Sequence, residues 1–381
     1  MTRLSRTGLG LDTPPVRIVH LGLGNFHRAH QAWYTAHAAD RAEWGIAGFS
    51  VRGSGLAERL AAQDGLYPLV ERGPEADRVE VIGSLVEADA GDSPRLIELL
   101  ASPETAVVTL TITEAGYSVD GDAPPLALER LARGLEARRR AGAGQIALIS
   151  CDNLPSNAAV LRDALRRLDA AVDGWLDDTV SFVSTSVDRI TPRLTPAELD
   201  ELRTASGWDD AAPVVTEPFS DWVLQGSFPA GRPQWETAGA RFVDDVEPFE
   251  LRKLWLLNGA HTILAASGPG RGHRTVAAAF ADPYCSALVT GFWNEAECHL
   301  TSAGLDIPGY LAQLRQRFAN PRIAHRLSDI ADQAPAKVRV RLLPVLQAEL
   351  AAGRSGAGTL RALADAPELL AILKTATEGT P

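Results

Sequence analysis

The sequence predicts an α/β protein: a doubly wound parallel sheet in the N-terminal part and a mostly α-helical C-terminal part. Short β-rich runs alternate with helical patterns through the first part of the 381 residues. A Gly-x-Gly turn, Gly22-Leu23-Gly24, separates the first such run from the first helical pattern. After about Phe249 strand signals nearly vanish and helical periodicity takes over. Strands that alternate with helices run parallel, with helices covering both faces of the sheet.

The elements follow in order. Val16-Arg17-Ile18-Val19-His20-Leu21 reads as the first strand, and a helical pattern follows from about Ala29. Further strands fit Gly45 to Val51, Val79 to Ile82, Ala106 to Ile112, Ile146 to Cys151 and Val180 to Ser186. Helices fit Leu56 to Gln63, Arg95 to Leu100, Leu126 to Arg140 and Ala158 to Leu168 between them. The run Arg138-Arg139-Arg140 is expected to end a solvated helix, since cations favour helix C-termini. A domain boundary is placed in the Pro- and Gly-bearing stretch from Phe228 to Phe249, giving domains 1–240 and 241–381. Beyond it, Leu251 to Leu264, Ala277 to Ala281, Cys285 to Leu300, Ile307 to Phe318, Val338 to Ala351 and Thr359 to Leu373 read as helices.

Composition narrows the function. The 45% hydrophobic content allows a sizeable core, and the net charge of −11 argues against a nucleic-acid partner. Cys151, Cys285 and Cys298 form neither a disulfide framework nor a CxxC pair. Neither a secretory signal nor a membrane-length apolar run is visible, so a cytoplasmic protein with no membrane partner is expected.

The Gly22-Leu23-Gly24-Asn25-Phe26-His27 turn sits where a Rossmann dinucleotide fingerprint belongs. The two glycines permit a tight turn and close approach of a pyrophosphate, and a helix N-terminus offers its free N–H groups. His27 stands where a third glycine is usual. The second strand ends without the acid that commonly holds the ribose hydroxyls. Arg52 follows it instead, placed either to meet a 2′-phosphate or to flank the pyrophosphate. His27 and His30 either lie near the nucleotide or simply pack.

Only three of the 37 Lys and Arg residues are lysines: Lys253, Lys337 and Lys374. Arginine cannot be deprotonated in a protein, whereas lysine can be tuned for proton transfer. Lys253 opens the run Lys253-Leu254-Trp255-Leu256-Leu257-Asn258-Gly259-Ala260-His261. At ~100° per residue, Lys253, Asn258 and His261 fall at about 0°, 140° and 80° on one broad helix face. Such a set suits metal-independent oxidation of an alcohol. Lysine takes the hydroxyl proton, asparagine donates to the developing alkoxide and histidine holds an adjacent hydroxyl. Lys253 must then be largely neutral, which burial and a nearby cation would arrange. The alternative is an ordinary helix showing its polar side to water. No tyrosine is followed by lysine four residues on, no zinc-ligand set is spaced for an open site, and no GxxxxGK[ST] loop occurs.

Taken together, these motifs resemble the polyol-specific long-chain dehydrogenases of the mannitol dehydrogenase family. The resemblance is carried by Gly22 to His30, Ala62 to Tyr67, Thr111 to Tyr117, Ser150 to Leu154, Val187 to Pro192, Glu217-Pro218-Phe219 and the Lys253 run. It implies that Lys253 is the general base, that Asn153 and Asn258 form the oxyanion site, and that His261 orients the substrate. It implies substrate or cofactor contact for Asp188, which could otherwise cap the turn before Pro192. It implies a proton gate or a structural role for Glu114, and a substrate-contacting role for Lys337. The implied cofactor is NAD, with NADP open, held around Gly22, Gly24, Asn25, Phe26, His27, Arg28, Arg52 and Thr113. The implied substrate is a small polyol, ketose or sugar acid, and the protein a monomer or homodimer. The chain departs from the family between Asp329 and Pro344, where Asp329 takes the place of an arginine. That stretch shapes the distal end of the pocket, so resemblance alone leaves the ligand open.

Overall fold

The computed structural model describes residues 2–121, 123–168, 173–209 and 212–378. The chain divides into two compact units, Met1–Arg72 with Asp77–Val246, and Gly73–Ala76 with Glu247–Pro381.

The first unit is built on an eight-stranded sheet and a three-stranded one, beside a short parallel pairing of Thr2–Arg3 with Trp208–Asp209. Its strands are β1 (Val16–Leu21), β2 (Gly45–Ser50), β3 (Tyr67–Arg72), β4 (Asp77–Ile82), β5 (Leu85–Ala90), β6 (Val107–Leu110), β7 (Ile146–Ser150), β8 (Val180–Asp188), β9 (Val214–Thr216), β10 (Asp221–Gln225) and β11 (Arg241–Phe242). The large sheet has the order β11-β10-β8-β7-β6-β1-β2-β5. From β5 to β8 every pairing is parallel, and only β10 runs against β8. Strands β9, β3 and β4 form the second sheet. Six parallel strands wound outward from β1 and β6 are the Rossmann-like arrangement, whose ligand crevice opens beyond the carboxyl ends where the winding reverses.

The inner strands β1, β2, β6 and β7 are largely buried on both faces because most of their positions are apolar or small. Ile18, Val107, Ala147 and Ile149 enter one core with Ala57 and Leu60 of α3 (Gly55–Ala61), following α1 (Asn25–Ala29) and α2 (Gln31–His37) in the chain. Val19, Leu21, Val108, Leu110, Ile146 and Leu148 enter the other core, under α4 (Pro94–Leu100), α5 (Leu126–Ala141) and α6 (Asn157–Leu168). Alternate residues therefore face opposite cores, as the period-2 geometry of a strand demands.

Arg138 differs from expectation. It is buried rather than solvated, and donates to the carbonyls of Leu100, Ser102, Ala143, Gly144 and Gln145. Only Arg139 and Arg140 behave as surface cations, both pairing with Glu136. Strands β3 and β5 escape the sequence pattern because each mixes charged or proline positions into its run.

The second unit is helical: α7 (Glu247–Arg252), a π-helical turn (Lys253–Gly259), α8 (Ala260–Ser267), α9 (Val276–Ala281), α10 (Pro283–Ala296), α11 (Ile307–Ala319), α12 (Leu327–Ala331), α13 (Ala334–Arg341), α14 (Leu343–Ala351), α15 (Ala357–Arg361) and α16 (Pro367–Glu378). Two expected single helices are each split. Pro344 starts α14 and Pro367 starts α16, where a missing N–H costs nothing because first-turn donors have no helical partner.

Candidate active site

The turn after β1 bends at Gly22, whose φ of 105° belongs to glycine, and an added Cβ would overlap the Thr111 carbonyl. Gly22 is therefore required by the protein itself. Gly24 is different: a Cβ there would meet only the Gly22 carbonyl oxygen, at an ordinary 3.5 Å. It precedes α1 without a side-chain cap, so the first N–H groups of the helix stay available.

Two residues expected at the cofactor have side chains committed to the interior. The His27 ring is buried and stacks on His20, with centroids 3.4 Å apart. Burial holds the His27 pKa well below the ordinary imidazole value. The Arg28 guanidinium is buried and donates to the Ala212 carbonyl, to Gly24 O and to Asn25 Oδ1 at 2.7 Å. Asn25 is thereby occupied by Arg28. Phe26 stacks on His30. Both His27 and His30 are packed, the second of the two placements the sequence left open.

At the end of β6 the chain makes a strained step. Thr113 has φ 66° and ψ 162°, a conformation costly for a β-branched residue. Asp152 holds it there. Its carboxylate accepts from the Ile112 and Thr113 N–H groups at 2.9 and 2.8 Å and from the Tyr117 hydroxyl at 2.6 Å. Burial raises the Asp152 pKa despite these donors. Thr113 and Glu114 are left exposed at the carboxyl edge of the sheet, as is Asn153, just after β7. Asp152 and Tyr117 were missed as site residues, although both lie in the blocks that carried the family resemblance.

In the second unit the lysine-bearing helix is not regular. Lys253–Gly259 is wound as a π-helix, which corrects the expected α-helix. Bonding from i to i+5 gives about 4.4 residues per turn, so Asn258 lies ~50° from Lys253 rather than ~140°. Three α-helical residues further on, His261 returns to within ~10° of Lys253. The three side chains thus share a narrower face than expected. Neighbours support the irregular winding. Trp293 Nε1 donates to the Leu256 carbonyl at 2.8 Å, and Arg341 Nη1 donates to the Asn258 carbonyl at 3.3 Å. At Gly259 a Cβ would lie 2.6 Å from the Phe292 ring.

Asn258 and His261 are 6% and 7% exposed. Asn258 Nδ2 and His261 Nε2 are buried without a hydrogen-bond partner. An unmet buried polar atom costs about 1–3 kcal/mol, so two on one helix face need a reason, and a ligand is one. Burial first, and then the neighbouring His325, Arg317, Arg341 and Lys253, hold His261 neutral, well below its ordinary pKa.

Comparison with known proteins agrees with this architecture. The mannitol dehydrogenase Rossmann domain profile matches residues 16–237, and the mannitol dehydrogenase C-terminal domain profile matches residues 245–366. The chain belongs to the mannitol dehydrogenase family. Among its relatives, D-mannonate oxidoreductase of Escherichia coli K12 is 36% identical over 89% of this chain and 76% of that relative. Mannitol 2-dehydrogenase of Cereibacter sphaeroides is 35% identical over 88% of this chain and 77% of that relative. A solved ternary complex of Pseudomonas fluorescens mannitol 2-dehydrogenase with NAD and D-mannitol has a TM-score of 0.83 and 35% identity. It covers 100% of this chain and 82% of the other.

The remaining candidates of this mannitol dehydrogenase family member fall at defined places. Asp188 is buried at the end of β8. Arg52 is exposed beyond β2. Lys337 is half-buried on α13, and its Nζ donates to the Ile330 carbonyl at 2.9 Å. Arg341, one turn further, also bonds Thr262 Oγ1 at 3.1 Å. Among the described residues no group of three His, Cys, Asp or Glu stands together as a metal site, and no helix is long and apolar enough to cross a membrane.

Proposed function

We propose that this chain is an NAD(P)-dependent, metal-independent oxidoreductase. It interconverts a secondary alcohol of a polyol with the matching ketose, in the mannitol/fructose manner. The observation that carries this reading is the π-wound turn, which gathers Lys253, the unpartnered Asn258 amide and the unpartnered His261 imidazole on one face.

The nucleotide end fits a dinucleotide. Nothing in the protein fills the space a Cβ would take at Gly24, and the uncapped N–H groups of α1 suit a pyrophosphate. Thr113, fixed in its strained conformation, and Arg52 flank that end in this reading. His27 and Arg28 act indirectly, by packing the turn. A bound nicotinamide supplies the hydride acceptor for oxidation and the hydride donor for reduction.

The other roles belong to the chain. Lys253 Nζ takes the hydroxyl proton in oxidation and returns it in reduction. Asn258 Nδ2 donates to the oxygen as it gains negative charge, and Asn153 is assigned a second donor to that atom. His261 holds a neighbouring hydroxyl. Glu114 passes the proton onward to water, and Asp188 and Lys337 contact substrate. With its amide already buried and unpaired, Asn258 needs no reorganisation during reaction. Asn258→Ala is therefore expected to lower kcat by about 10²–10³-fold with little change in KM for NADH; an unchanged kcat makes Asn258 structural.

A mannonate/fructuronate-type reading is favoured by one observation: two arginines, Arg317 and Arg341, act on His261. The deciding experiment follows NADH and NADPH oxidation with D-fructose, D-fructuronate, D-tagaturonate and pentuloses. Turnover of a neutral ketose establishes the first reading, and turnover of only the acids establishes the second. Nucleotide binding without any turnover overturns both in favour of a non-catalytic sensor.

A further inference from the structure

We propose that His325 is a second substrate-hydroxyl ligand beside His261, and that it selects the configuration at a carbon beyond the reacting one. The inference rests on the polyol reading above and deepens it.

The His261 and His325 rings meet edge to face, with centroids 4.7 Å apart and planes at 85°. Each has a buried nitrogen without a hydrogen-bond partner, Nε2 of His261 and Nδ1 of His325. An unmet ring nitrogen by itself does not mark a ligand site, since His27, packed on His20, also leaves both of its nitrogens unmet. Here the two unmet nitrogens belong to rings in contact with each other. The pair thus brings together two unmet polar atoms, one of them on a ring that also feels the Lys253 charge.

His325 is held firmly. Its carbonyl accepts from the Val276 N–H at 2.9 Å, the Leu327 N–H donates to the Arg274 carbonyl at 3.0 Å, and Thr275 and Arg326 form an antiparallel bridge. Backbone pairing on both sides of its position lowers the cost of ordering this residue on binding. Around it stand Asp329, Arg317 and, through His261, Arg341 and Lys253. Burial keeps both imidazoles neutral. A neutral imidazole carries one donor and one acceptor, which matches a hydroxyl; a carboxylate offers only acceptors and would face Asp329. Two neutral rings at a fixed angle thus suit two hydroxyls of an open-chain sugar.

The test compares wild type, His325→Asn and His325→Ala by steady-state kinetics with NADH, D-fructose and its monodeoxy analogues. D-mannitol binding to the NADH-saturated protein, a complex that cannot react, is measured in parallel by calorimetry. His325→Ala is expected to raise KM for D-fructose and Kd for D-mannitol by about 10–100-fold, with kcat and KM for NADH within about threefold. His325→Asn should recover part of the loss, and a Tm unchanged at pH 7.5 excludes misfolding as the cause. One deoxy analogue should cost wild type the same factor and cost His325→Ala nothing more. Equal losses on every analogue in both proteins, or an unchanged KM, overturn the proposal and leave the polyol reading intact. A wild type that neither reduces D-fructose nor binds D-mannitol overturns the polyol reading and this proposal with it.

Discussion

Replacing Lys253 with alanine is expected to abolish measurable turnover while NADH binding stays within a few-fold of wild type. Loss of a positioned general base costs about 10²–10⁴ in rate, and no other side chain on the π-wound face can accept a proton in its place. Asn258 has no basic group, and His261 is held neutral by burial and surrounding cations, so it is a poor base there. The nucleotide turn belongs to the other unit, so the substitution leaves it in place. Lys253→Arg makes the test sharper. It keeps charge and length but cannot be deprotonated near neutral pH, so it should be as inactive as the alanine variant. The assay is NADH oxidation with the ketose that wild type accepts, alongside NADH binding by fluorescence. An active Lys253→Arg enzyme at neutral pH would show that the residue supplies charge rather than a proton site.

The protein is expected to lose stability steeply as pH falls from about 6.5 towards 4. Burial pushes the pKa of His20 down to about 3 and of His325 down to about 4, and places His27 and His261 well below the ordinary value. In the unfolded chain all four titrate near ~6.5. Below that pH the unfolded state binds protons that the folded state refuses, so the equilibrium shifts towards unfolding. The loss continues until the folded pKa is reached and then levels off. At pH 5 each such group costs about 2 kcal/mol, so four approach the whole ~5–15 kcal/mol stability of a typical domain. His37 works in the opposite sense: its bonds to Glu80 and the Trp33 carbonyl outweigh its burial and raise its pKa, so it adds stability on the acid side. The check is Tm between pH 7.5 and 5 for wild type and His325→Asn. The variant should show a shallower slope, and a flat wild-type Tm across this range removes the linkage.

Much of the candidate site could be read from the residues. Lys253, Asn258 and His261 stood out because lysine is scarce and because their spacing fits a helix face. Gly22 stood out because only glycine tolerates the turn it makes. What stayed hidden depended on partners distant in the chain. Arg138 looked like a surface cation because its burial needs the end of α4, Leu100 and Ser102, to meet the turn after its own helix, Ala143 to Gln145. Asp152 looked like one member of a motif, yet its three donors fix the strained Thr113. His325 carried no signal, since nothing in its local sequence announces the contact with His261.

The sequence by itself determined the two-part organisation, the strand–glycine–helix nucleotide turn and the membership of the lysine run in one helical face. Each follows from local periodicity and from the conformational limits of glycine and proline. Only the tertiary structure decided how that face is wound. An i→i+5 turn is unfavourable in an isolated helix and forms here where Trp293 and Arg341 bind carbonyls within it, beside Gly259 packed against Phe292. It also decided which polar groups remain unpaired, because a hydrogen bond is a fact about two residues and the sequence presents them one at a time.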